Sequence, residues 1–324
     1  MKKLFLALTT TLLLPNMSYA AACADGANAA GCTIGTTGFD YTLTGDIAPA
    51  SGVVGIKFTS GATTNTTTLT GGISTTGDYA YGLFLNNSTN NITTLTGDIS
   101  TTGDDAYGLY LESSNNNTTT LTGDISTGNV DGTTGDDAYG LYLESSNNNT
   151  TTLTGDISTT GGYAVGLRLY GSDSNTTTLT GDISTGNVGG TTGSNAHGLY
   201  LESSNNNTTT LTGDISTTGS GAMGLRLYGS DSNTTTLTGD ISTTGYNAIG
   251  LLLSSSDSNT TTLTGDISTE GTSAYGLLLS SSDSNTTTLT GDISTEGTSA
   301  YGLRLYASDS NTVNLTGSLS ATGA

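Results

Sequence analysis

A single histidine, His197, occurs in 324 residues, and no nucleophile motif or glycine-rich phosphate loop is present. A lone histidine with no second one to pair with removes most triad and zinc chemistry. Cysteine is nearly as scarce. Cys23 and Cys32 stand close together near the N-terminus with no histidine beside them, a poor set of metal ligands. In an oxidising compartment two such cysteines favour pairing, so a disulfide Cys23–Cys32 is expected. Basic residues number 6 against 27 acidic ones, and two of the six, Lys2 and Lys3, lie at the extreme N-terminus. Without those two, four basic and 27 acidic residues leave a net charge of −23. Such a surface repels nucleic acid and anionic lipid and favours solubility and cations. Also missing is any apolar run long enough to cross a bilayer as a helix.

The longest apolar stretch, residues 4–14, follows Lys2 and Lys3 and is broken only by threonines. Ser18-Tyr19-Ala20 then places small residues where a signal peptidase reads them. Residues 1–20 therefore form an export signal, and residues 21–42 an N-terminal cap that the cysteines would clip. Hydrophobic residues make up only 33% of the chain. Together with the high net charge this composition ordinarily argues for disorder. The placement of the apolar residues overturns that expectation.

The motif Leu-Thr-Gly-Asp-Ile, with small variations, recurs with its leucine at Leu43, Leu69, Leu95, Leu121, Leu153, Leu179, Leu211, Leu237, Leu263, Leu289 and Leu315. Eight of the ten steps are 26 residues, and two are 32 because segments 128–133 and 186–191 are inserted. A period of about 20–50 residues means a solenoid, propeller or array, and a propeller blade needs about 40. Within a repeat, Thr118 to Ile125 reads as a strand with Leu121, Gly123 and Ile125 alternating, and Ala106 to Glu112 as another with Tyr107, Leu109 and Leu111 on one side. The glycine of Leu-Thr-Gly-Asp could bend the first piece into two strands, so two or three strands per coil remain open. One coil buries too little to stand alone, whereas stacked coils place Leu on Leu and Ile on Ile. The fold expected over residues 43–324 is an all-β parallel β-helix, a β-solenoid of about eleven coils of 26 residues.

Stacking turns each repeat position into a column. Tyr81, Tyr107, Tyr139, Val165, His197, Met223, Ile249, Tyr275 and Tyr301 are expected to form an inward column, with His197 as a core substitution. Lys57, Phe84, Tyr110, Tyr142, Arg168, Tyr200, Arg226, Leu252, Leu278 and Arg304 should form an outward one suited to contact. Aspartates from Asp98 to Asp292 repeat beside the first strand. Their stacked charge calls for backbone amides or for cations such as calcium, with turn capping by Asp the favoured account. Thr-x-Thr pairs such as Thr120 and Thr122 flank each inward leucine and form an outward threonine lattice similar to those of β-solenoid ice-binding proteins.

An export signal, a Gly-Asp-Ile strand and an Ala-x-Gly-Leu-x-Leu strand in every coil resemble the passenger domains of bacterial autotransporters. The resemblance runs from about Thr42 to the end. It implies a right-handed β-helix displayed on, or released from, a Gram-negative surface, with roles in adhesion, self-association or biofilm formation. Autotransporters also carry an outer-membrane barrel of alternating strands. The sequence stops at Ala324 inside a repeat, so a separate or missing translocator is expected, with periplasmic retention if the product is truncated.

The leading functional expectation is thus a non-catalytic secreted or cell-surface rod. Its partners would be host-cell, matrix or self surfaces, with no nucleic acid and no cofactor other than possible calcium. The insertions supply the first candidate contact residues: Gly128, Asn129, Val130, Asp131, Gly186, Asn187 and Val188. Ice binding through the threonine face is the alternative. A β-helix lyase or glycosidase is disfavoured because nearly every carboxylate is a repeat position, and repetition marks no coil as active.

Overall fold

In a computed structural model, residues 22–128, 137–186 and 195–323 are described. They form a β-solenoid of three parallel sheets, so each coil has three strands. One coil shows the plan. Strand Tyr139–Glu144 lies on face one, Thr150–Thr154 on face two and Ile157–Thr160 on face three. Each pairs in register with its equivalents in the coils before and after, giving sheets of eleven, eleven and ten strands. At about 4.8 Å per coil, eleven coils make a rod roughly 50 Å long. Among the described residues no helix is long and apolar enough to cross a membrane.

Residue chemistry sets the three corners. Between faces two and three the chain turns at a glycine such as Gly123 (φ +145°), where a Cβ would lie 2.4 Å from the carbonyl oxygen of Gly97 in the preceding coil. Only glycine tolerates both that dihedral and that approach. Between faces one and two, Ser113 and Asn116 take left-handed φ values of 50° and 57°, a conformation asparagine adopts more readily than most residues. The same corner carries a buried asparagine ladder. Asn149 Oδ1 accepts from the backbone N–H of Asn117 at 2.8 Å and from its Nδ2 at 3.2 Å, while Asn149 Nδ2 donates to the carbonyl of Ser114 at 2.8 Å. Equivalent bonds run from Asn65 to Asn311. Serines three residues before each asparagine, among them Ser114 and Ser146, repeat the device. These ladders satisfy the corner's backbone groups away from water, as buried polar groups require.

Leu141, Leu143, Leu153 and Ile157, with their equivalents, fill the interior. Two further inward columns are threonines: the buried hydroxyls in the column of Thr209 have no hydrogen-bond partner among the described residues, whereas in the column of Thr217 some do, Thr75 and Thr101 donating to the carbonyls of Ala80 and Ala106. At the N-terminal end Cys23 and Cys32 form a disulfide, both half-cystines are buried, and Ala22 bridges to Thr33.

Candidate functional site

Face one departs from simple alternation. Gly140 and Leu141 both lie on the inner side: a Cβ on Gly140 would sit 2.3 Å from Cγ2 of the core residue Ile157. The ladder pairs Tyr139 with Val165 and resumes at Leu141 with Leu167, passing over the glycine. The strand therefore kinks, and the residue before the glycine turns outward. This corrects the expected inward column of Tyr107, Tyr139, Val165 and His197. These residues join Phe84, Tyr110, Tyr142 and Tyr200 in a second packed layer outside the coil interior. Tyr107 and Tyr139 stack at 4.8 Å, Tyr110 and Tyr142 stack at 5.0 Å, and rings of the two columns meet edge-on, as between Tyr139 and Tyr142 at 5.0 Å. Offset-stacked and edge-to-face geometries suit the ring quadrupoles.

Where the ladder changes from tyrosine to arginine, a pocket of about 460 Å³ opens. It spans the strands Tyr139–Glu144, Val165–Tyr170, His197–Glu202 and Met223–Tyr228. Arg168 Nη1 donates to the Tyr139 hydroxyl at 2.6 Å, and Nη2 pairs with Glu202 of the next coil at 2.7 Å. Its guanidinium lies over Tyr139, Tyr142, Tyr170 and Tyr200 at 5.2–5.4 Å. Arg226 occupies the same column two coils on, 4.5 Å from the Tyr200 ring, with Nη1 at 3.1 Å from His197 Nε2. His197 Nδ1 meets the carbonyl of Ala196 at 2.9 Å. Burial, reinforced by the Arg226 charge, pushes the His197 pKa down to about 3, so the ring is neutral and Nε2 accepts from Arg226. Burial likewise raises the Tyr139 hydroxyl above its ordinary range. Asp137, Tyr163 and Asn195 complete the rim.

Of the expected contact residues, Gly128 and Gly186 end face-three strands Ile125–Gly128 and Ile183–Gly186. Asn129, Val130, Asp131, Asn187 and Val188 lie outside the described residues. The described chain resumes at Asp137 and Asn195, just before the face-one strands Tyr139–Glu144 and His197–Glu202. Arg168, Tyr200 and Arg226 of the outward column line the pocket. Asp137, Tyr163, Asn195 and Glu202 were not singled out from sequence. A signal existed in Glu202, which alternates with Tyr and Ser at its repeat position and follows an arginine column.

The aspartate column is resolved by the backbone. Asp98 Oδ1 accepts the N–H of Asp124 at 2.9 Å, Asp124 that of Asp156 at 2.8 Å, and the pattern continues to Asp292 and Ser318. Coil-to-coil capping thus meets the stacked charge. Among the described residues no group of three histidine, cysteine, aspartate or glutamate side chains is placed to hold a metal. On face two, Thr118, Thr120 and Thr122 all point outward, so the lattice is three threonines wide, not two. No family model, curated protein or solved structure matches the chain.

Proposed function

We propose that this chain is an exported, non-catalytic rod of the cell surface or extracellular space, acting in adhesion, self-association or surface display in the manner of an autotransporter passenger. The observation that carries this reading is the face-one pocket. Its lining includes tyrosines and arginines, residue types enriched in contact surfaces, and also Asp137 and Asn195, which follow the two inserted segments closely in sequence. Its acid and its histidine are engaged within the protein: Glu202 is held by Arg168, and His197 Nε2 faces Arg226 instead of a nucleophile. That arrangement supports binding over acid–base chemistry. The test is attachment of cells displaying the chain to host cells, matrix and one another. Deleting residues 128–133 and 186–191, which restores the 26-residue spacing, should reduce attachment several-fold. Unchanged attachment would remove this corner as the contact surface.

Ice binding stands as a second reading because face two presents three threonine columns in register over successive coils. It requires thermal hysteresis in the purified chain that disappears when Thr120 and its neighbours Thr152 and Thr178 become tyrosine.

A further inference from the structure

Arg168 and Arg226 occupy one column, yet they are compensated differently. Outward side chains of face one repeatedly reach the acid of the following coil: Asn86 donates to Glu112 at 2.6 Å, Tyr110 to Glu144 at 2.5 Å, and Arg168 to Glu202 at 2.7 Å. For Arg226 the following coil offers Ser254, the register partner of Tyr228. Among the described residues Arg226 has no carboxylate within ion-pair distance, and only its Nη1 makes a hydrogen bond, to the neutral His197. Its Nε is buried without a partner, as is that of Arg168, and among the described residues Nη2 makes no hydrogen bond. A half-buried guanidinium without a counterion, on the wall of a pocket, is a binding group for a planar anion.

We infer that the pocket takes an acidic sugar, a pyranose bearing a carboxylate, with the carboxylate on Arg226 and the ring against Tyr163. Arg168 and Arg226 cover the Tyr200 ring, and the open aromatic ring of the lining is that of Tyr163, 46% exposed. An exposed ring of this kind suits the C–H face of a pyranose. Asp137 and Asn195, which also line the pocket, offer acceptors and donors to ring hydroxyls. The volume of about 460 Å³ fits a small ligand. A neutral His197 adds no second positive charge, so one carboxylate and not a polyanion is matched. The chain's net charge of −21 disfavours long polyanions in the same sense.

The inference takes from the proposed function only that the ligand lies outside the cell, and the two fail separately. Calorimetric titration of the full chain with glucuronate, glucose and acetate is the test. Glucuronate should bind about ten-fold or more tighter than either glucose or acetate, the factor expected of a charge-assisted bond added to ring contacts. Ser254→Glu, which hands Arg226 the acid that Glu202 gives Arg168, should abolish that preference while leaving the coil intact. Arg226→Gln should do the same, and Arg304→Gln should not. Equal binding of glucuronate and glucose, acetate binding as tightly as glucuronate, no glucuronate binding, or an unaffected Ser254→Glu variant would each overturn the assignment. Binding of glucuronate by a chain never exposed on cells would leave the site standing and remove the surface reading.

Discussion

Single buried threonines carry a cost that the molecule itself exposes. Thr209 and its equivalents point an unpartnered hydroxyl into the interior. In the last coil the same column holds Val313, the register partner of Thr287. Valine keeps the shape and removes the desolvated hydroxyl, so Thr209→Val should stabilise the rod by about 1 kcal/mol in urea unfolding. Loss of stability would mean that the hydroxyl has a partner. His197 behaves oppositely across pH. Its folded pKa of about 3 lies below the ordinary 6.5, so the unfolded chain binds the extra proton. Its contribution is fully present above pH 6.5 and is lost as pH falls towards 3, with a slope up to about 1.4 kcal/mol per pH unit. His197→Met, copying Met223 of the next coil, should remove that slope, measured as unfolding free energy between pH 7 and 4. The direction of these side chains was the least legible feature of the sequence. Period-two reasoning placed Tyr139 and His197 inward, because nothing in Tyr-Gly-Leu announces that the glycine and the leucine share one side. The cause is a contact with Ile157 on another face, far along the chain.

Strands and corners were better marked. Leucine and isoleucine at fixed spacing located faces two and three, and Gly-Asp, which left two or three strands per coil undecided, is the bend that separates them. The asparagine ladder escaped notice because Ser-Asn-Asn-Asn reads as turn chemistry, whereas its bonds run 26 or 32 residues along the chain. Replacing one rung, Asn175→Ala, strips the Asn149 N–H and the Ser146 carbonyl of their partners. The expected destabilisation is about 2–4 kcal/mol. Gly198→Ala should be at least as costly, since its Cβ would meet Ile215 Cγ2 at 2.2 Å and the Gly224 carbonyl at 2.7 Å. Urea midpoints of the two variants check both, and a neutral Gly198→Ala would refute the kink on face one.

At the scale of the whole molecule, uniform repetition makes a rod, and interruptions of the repeat make it specific. The fold was legible because each coil restates the same pattern, so an error in one strand is outvoted by ten others. The pocket was only half legible. Its arginine and tyrosine column could be read from the period, but the pairing of Arg168 with Glu202, and its absence at Arg226, needs adjacent coils in register. Exposure on the native host cell distinguishes an exported surface rod from a retained one. Intact cells would be treated with protease, fractionated and probed with antibody against residues 43–324, alongside an intracellular control protein. The account predicts chain in the medium, or chain on cells degraded before lysis while the control survives. Chain found only inside, protected until the cells are opened, would contradict it.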